Sequence, residues 1–252
     1  MTEIIRKGLS AALDLILPRT CVVCGCRLNL QEDHLCLGCE IDMPMTYYWT
    51  MPHNPMADRF NAMIEKYLED GVERYAYACA LFFYSNDASY RFIPYNLKYH
   101  GYVVLGADVG RMLGRKMLKS GLWNDVDMVI PVPLHVLRKW RRGYNQAEII
   151  ADAVAEILHV PMRNDILLRK RKTMTQTKLD VEDKVKNVAG AFVVRDDFAA
   201  SIEKEKPFSH ILLVDDVFTT GSTLMACFTA LRSVFPPSVR ISVATLGFVG
   251  GG

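Results

Sequence analysis

The segment Ile211-Leu-Leu-Val-Asp-Asp-Val-Phe-Thr-Thr-Gly-Ser-Thr-Leu224 constrains this chain more than any other. Four apolar residues run into two adjacent carboxylates, then a loop of small polar residues, then an amphipathic stretch over 222–234. That order reads as a buried strand, a turn and a helix. Where strands lead directly into helices the sheet is parallel, and ligands bind at the carboxyl ends of its strands. The loop falls at such an end. Thr219, Thr220, Gly221, Ser222 and Thr223 offer successive backbone N–H groups and four hydroxyls at a helix N-terminus, a setting for a phosphate monoester. Asp215 and Asp216 are strong acceptors suited to the two hydroxyls of a ribose cis-diol, and they can offset positive charge developing on a ribose ring. Without them the string would describe only a capped surface helix. No G-x-x-x-x-G-K-[ST] or G-x-G-x-x-G string offers a rival nucleotide loop.

The rest of the chain fits the same α/β pattern. Residues 127–132 read as a strand ending at Pro131-Val-Pro133, and 145–158 as a helix with Ile149, Ile150, Ala153, Val154, Ile157 and Leu158 on one face. Residues 166–168, 191–194 and 240–246 are further strand candidates, as is 75–84. Residues 87–120 carry helical patterns punctuated by Gly101, Gly106 and Gly110, and 3–17 a helical pattern that stops at Pro18. Pro44, Pro52 and Pro55 mark a linker. At 252 residues, half of them hydrophobic, the chain suits one α/β domain with a small appendage. The expected division is an N-terminal helix and cysteine module over 1–45, a linker over 46–74, and an α/β domain over 75–250.

Charge is informative only locally. The chain has 30 Lys+Arg against 28 Asp+Glu, which excludes a generally basic nucleic-acid coat, yet residues 138–172 hold nine Lys/Arg against four Asp/Glu. Arg138, Lys139, Arg141 and Arg142 lie between a strand and a helix, where a loop can neutralise pyrophosphate through bidentate arginine contacts. Gly143 permits a tight turn, and Asn145 and Gln146 add neutral donors. Two other readings stand: a solvated basic loop, and a nucleic-acid footprint with Trp140 and Tyr144 stacking on bases.

Cys21-x₂-Cys24-x₁₁-Cys36-x₂-Cys39 forms two knuckles at a spacing suited to tetrahedral Zn²⁺. Four thiolates close the coordination sphere, so the site is structural and supplies folding free energy to a segment too small for its own core. Redox Cys-x-x-Cys pairs are the alternative, and Cys26 or His34 can stand in for a ligand. Cys79 and Cys227 read as buried thiols, and His100 and His135 as solvent-facing or structural. An odd cysteine count without a secretory leader argues for a reducing cytoplasm. No apolar run reaches the roughly 18 residues of a membrane span.

On the 211–224 string the chain resembles the type I phosphoribosyltransferases. That resemblance implies a Rossmann-like parallel sheet with a hood, here 75–120 over a core of 125–250. It also implies that Asp215 and Asp216 bind the ribose 2′ and 3′ hydroxyls and that residues 219–223 hold the 5′-phosphate of phosphoribosyl pyrophosphate (PRPP). Pro131-Val-Pro-Leu134 with Arg141-Arg-Gly-Tyr-Asn-Gln146, joined to the cysteine module, is similar to the ComF family associated with bacterial competence. The likeness extends to the helix ending at Pro18, to Leu97-Lys98-Tyr99…Gly101 in the hood, and to Asn187-Val-Ala-Gly-Ala-Phe192. Residues 169–187 resemble the family's mobile loop, with Arg169, Gln176, Thr177 and Leu179; Lys184 and Lys186 stand where relatives carry an arginine. The implied chemistry is Mg²⁺-dependent displacement of pyrophosphate from ribose C1 by a nitrogen nucleophile. The alternative is a non-catalytic ribose-phosphate sensor or a single-stranded DNA-handling protein that works with a DNA-uptake helicase or processing partner.

Overall fold

The computed structural model describes residues 18–68, 73–170, 190–201 and 208–250. The expected helix over 3–17 and the loop positions Gln176, Thr177, Leu179, Lys184 and Lys186 lie outside the described residues.

The core is a four-stranded parallel sheet in the order β1-β6-β5-β2, formed by β1 (Ala78–Phe83), β2 (Met128–Pro131), β5 (His210–Phe218) and β6 (Arg240–Phe248). The two central strands are buried along most of their length, which explains why they read as apolar runs rather than alternating ones. The register places Ile211 beside Met128 and Ile241, and Asp215 beside Thr245, so the carboxylate pair emerges at the strand ends. The short strands β3 (Leu167–Arg169) and β4 (Phe192–Val194) form a separate antiparallel pair, not members of the parallel sheet, and the short helix α7 (Asp196–Ser201) follows β4.

Two expectations need correction. Residues 46–74 are not merely a linker. They contain α2 (Pro55–Tyr67), after α1 (Leu37–Ile41), and α2 buries Met56, Ala57, Phe60 and Ile64 in the main core. Pro55 starts this helix rather than breaking a chain segment, because a proline at the first helical position lacks an N–H that would be orphaned anyway. Asn54 caps it, accepting from Met56 N and Ala57 N at 3.0 Å. Asn61 then ties the helix to Ala76 through both amide ends.

The hood is also smaller than expected. β1 is an edge strand of the central sheet, and α4 (Val103–Ser120) packs face to face on α6 (Gln146–Leu158). Gly106, Gly110 and Gly114 are contact points there, not punctuation. A Cβ at Gly110 would lie 2.9 Å from Ala153 Cβ, and one at Gly114 2.9 Å from Ile157 Cβ. From 75–120, α3 (Phe92–Tyr99) is the helix that reaches over the strand ends.

The cysteine module is stitched to this core. Cys21, Val23, Leu28, Cys39 and Met43 are buried with it, Phe83 N donates to Pro44 O at 2.8 Å, and Tyr90 Oη donates to Cys39 O at 2.9 Å.

Candidate ribose-phosphate site and metal centre

At the end of β5 the chain turns through Thr219–Gly221 into α8 (Ser222–Arg232). Gly221 caps the helix at φ 80°, a left-handed conformation open to glycine. Space enforces the choice as well, since a Cβ would fall 2.7 Å from Phe218 Cζ and 3.0 Å from Met63 Sδ. The first N–H groups of α8 have no acceptor within the helix. Thr220 Oγ1 and Ser222 Oγ are 2.8 Å apart, so the hydroxyls are gathered at the same end.

Asp215 and Asp216 stand just upstream. Asp216 is only 9% exposed, and its N–H donates to Asp215 Oδ1 at 2.8 Å. Burial pushes the Asp215 carboxyl up to about 7; the Asp216 charge adds to the rise, while the Asp216 N–H, Lys98 and Arg169 oppose it. Lys98, on α3, places Nζ 2.7 Å from Asp216 Oδ2. Burial works against the Lys98 charge, yet Asp216 and Asp215 together lift its pKa above the ordinary lysine value.

The basic segment is a helix, α5 (Val136–Arg142), rather than a loop. His135 caps it by accepting from Leu137 N at 3.2 Å, which gives this histidine a structural role, and Gly143 ends it at φ 82°. Arg142 lies 5.4 Å from the Tyr99 ring, and Lys139 pairs with Glu148 at 3.0 Å. Arg141 is exposed and Arg138 half-buried. Asn145 faces inward: it donates to Val132 O at 3.0 Å and caps α6 at Ala147 N, so it holds the turn instead of presenting a donor to the basic helix. Gln146 is 4% exposed, and its Nε2 is buried with no protein acceptor. Tyr144 is committed as well, donating to Leu97 O at 2.5 Å and joining this turn to α3. Of the two aromatics expected to stack on bases, only Trp140 is open, at 88% exposure.

Sequence reasoning left Lys98 and Arg169 without specific partners. Burial depresses the Arg169 guanidinium pKa, Arg138 deepening the shift and Cys227 and Asp215 opposing it, so this arginine is within electrostatic reach of both the acidic pair and the basic helix. No periodic pattern links residues so far apart. A Ser242–His210–Asp125 chain, with 2.7 Å at each His210 nitrogen, was also missed. Ser242 is fully buried and its Oγ accepts from Tyr77 N, so this array pins the opposite end of the sheet rather than presenting a nucleophile.

The four sulfurs of Cys21, Cys24, Cys36 and Cys39 lie within 4.8 Å of one another. Cys24 Sγ and Cys36 Sγ are 3.7 Å apart, against about 3.8 Å for a tetrahedron edge at Zn–S distances of ~2.3 Å. Cys36 N donates to Cys21 Sγ and Cys39 N to Cys36 Sγ, each at 3.4 Å, which fixes the sulfurs relative to the backbone. The first knuckle sits in a hairpin bridged at Thr20 and Arg27, the second at the start of α1. The donor set is able to hold a metal ion such as zinc. Cys26 is outside this four-sulfur group, and the His34 ring packs on Tyr102 instead. Cys79 and Cys227 are buried thiols.

Residues 144–246 match the phosphoribosyl transferase domain. The chain is 37% identical over 115 residues to "Competence protein F" of Haemophilus influenzae, covering 46% of this chain and 48% of that protein. It is 35% identical over 98 residues to "DNA utilization protein YhgH" of Shigella flexneri, covering 39% and 40%. It is 28% identical over 100 residues to "Competence protein ComFC" of Bacillus subtilis, covering 38% and 35%. The matches span about half or less of these relatives' lengths. Among the described residues no helix is long and apolar enough to cross a membrane. A parallel sheet ending in an acidic pair and a glycine-capped polar loop, the matched domain and these relatives converge on one likeness: residues 144–246 carry a phosphoribosyl transferase-type domain, and the chain is similar to competence and DNA utilization proteins of the ComF type.

Proposed function

We propose that the protein binds PRPP and transfers its phosphoribosyl group to a nitrogen nucleophile, with pyrophosphate as the leaving group. The observation that carries this reading is the Asp215–Asp216 pair, half-buried at Asp215 and buried at Asp216, with Lys98 at 2.7 Å on one side and the Gly221-capped helix on the other. The carboxylates accept hydrogen bonds from the ribose 2′ and 3′ hydroxyls and face the ring as positive charge builds at C1. The 219–223 turn receives the 5′-phosphate, and Lys98 orients Asp216. Arg138, Arg141 and Arg142, with the orphan Gln146 amide, receive pyrophosphate. Asp215 and Asp216 are the hard oxygen donors through which Mg²⁺ can be held, directly or through water, and the ion supplies neutralising charge to the pyrophosphate. Zn²⁺ is the metal proposed for the cysteine module, with a structural role in a cytoplasmic protein.

Titration calorimetry with PRPP, with and without Mg²⁺, tests the reading. Binding that strengthens with Mg²⁺ and is lost in Asp215→Asn/Asp216→Asn supports it; wild-type protein that binds no PRPP refutes it. Pyrophosphate release with a panel of bases then separates transfer from ribose-phosphate sensing.

Exposed aromatic side chains favour a second reading, handling of single-stranded DNA. Tyr95 and Tyr99 on α3 have ring centroids 4.9 Å apart with Arg142 over Tyr99, and Trp140 is exposed on the basic helix that carries Arg142. Binding of oligo(dT) that falls steeply with salt and with Arg141→Gln/Arg142→Gln supports this role; salt-insensitive binding speaks against it. A helicase or processing partner in DNA uptake belongs to the same reading.

A further inference from the structure

The 219–223 turn contains no basic residue, although a phosphate monoester carries up to two negative charges. Of the cations named so far, Lys98 is on Asp216 and Arg142 is on Tyr99, while Arg169 lies within electrostatic reach of Asp215 and Arg138. Helix α2 also borders the turn. Met63 Sδ stands 3.0 Å from the position of a Cβ on Gly221, so α2 forms a wall of the turn. One helical turn earlier on the same face, Arg59 lies over Phe218, with Cζ 5.7 Å from the ring centroid. Phe218 is the last residue of β5 and immediately precedes Thr219. The ring is fully buried and packed against Phe60, Phe228's neighbour on α2, and against Phe248, so it offers Arg59 a fixed platform. No ion pair of Arg59 occurs among the described residues, and the side chain is half-buried rather than free in solvent.

We infer that Arg59 is the cation of the 5′-phosphate subsite, a positioning and binding residue contributed by a segment that the sequence reads as a linker. This rests on the ribose-phosphate reading of the 215–223 site. Phe218 holds the guanidinium beside the turn through its π face, and the charge supplements the helix N–H groups and hydroxyls. The group recognised is a terminal phosphate monoester, as on ribose 5-phosphate or PRPP, and not the diphosphate end of the ligand.

The test is calorimetry of wild type, Arg59→Gln and Arg59→Lys with three probes: ribose 5-phosphate, PRPP with Mg²⁺, and inorganic pyrophosphate with Mg²⁺. Arg59→Gln is expected to weaken ribose 5-phosphate and PRPP by roughly 5- to 30-fold and to flatten the salt dependence, with pyrophosphate affinity unchanged. Arg59→Lys, which keeps the charge and loses the planar stack, recovers part of the affinity. Ribose 5-phosphate binding to Arg59→Gln at wild-type strength overturns the inference and leaves the site reading intact. Equal weakening of all three probes overturns it too, because the substitution then acts on the fold. Wild-type protein that binds neither sugar phosphate overturns the site reading and this inference with it.

Discussion

Both proposed anion regions end a polar segment with a left-handed glycine, Gly221 at φ 80° and Gly143 at φ 82°, but their surroundings are opposite. A Cβ on Gly221 would collide with Phe218 and press on Met63, whereas a Cβ on Gly143 would meet nothing within 4 Å. The first turn is enclosed by the sheet and α2 and works through backbone donors and buried carboxylates. The second belongs to a solvent-facing helix and works through charge on long side chains. A buried site is fixed by packing and tolerates little change; an exposed basic helix can lose single cations and still bind.

The sharpest way to break this contrast is the glycine pair. Gly221→Ala combines backbone strain with overpacking, and is expected to cost about 2–4 kcal/mol of stability and to reduce PRPP binding by more than ~100-fold. Gly143→Ala carries only the conformational term, about 1 kcal/mol, with ligand affinity reduced by no more than several-fold. Denaturant unfolding and calorimetry on the two variants check both values, and equal losses would remove the distinction.

Asp215→Asn sharpens the description of the buried side through pH. The folded-state Asp215 pKa is raised to about 7 from an unfolded value near 4, so its stabilising contribution is complete below about pH 4 and is lost as pH rises through about 7. The asparagine variant lacks this loss. It should match wild type near pH 4 and exceed it by about 1–2 kcal/mol at pH 8, a figure reduced from the full shift because Asp215 is partly solvated. Melting temperatures across that range check the sign, and a wild-type advantage at pH 8 would contradict it.

On the exposed side the effects are smaller. Arg141→Gln and Arg142→Gln are each expected to weaken pyrophosphate about 3- to 10-fold and to lower its salt dependence. Arg142 should show the larger change because Tyr99 holds its guanidinium in place. Trp140→Ala should leave stability within about 0.5 kcal/mol of wild type, since the ring is almost wholly exposed. A fall in oligo(dT) affinity in that variant, without a change in PRPP affinity, would assign the outer face of α5 to nucleic acid.

Legibility from sequence followed the same division. The strand–Asp–Asp–loop–helix string lies in one stretch of chain, and its backbone course follows from local apolar runs, a glycine and small polar residues. The two cysteine knuckles were equally local in pattern, though a choice among six nearby ligands required the sulfurs to be brought together. Pro55 and the glycines of α4 misled for a shared reason. Proline and glycine punctuate isolated segments, but at a helix start or a close helix contact their absent groups are what the packing requires.

The sequence by itself determined the parallel α/β class, the acidic pair ahead of a phosphate-type turn, and the four-cysteine spacing, because each is written in neighbouring residues. Tertiary structure alone decided that Lys98 meets Asp216, that α2 walls the turn and carries Arg59 over Phe218, and that Tyr144 and Asn145 are turned inward. Those contacts join distant parts of the chain, and they are fixed by how buried stripes on separate elements fit together rather than by any preference of the residues that make them.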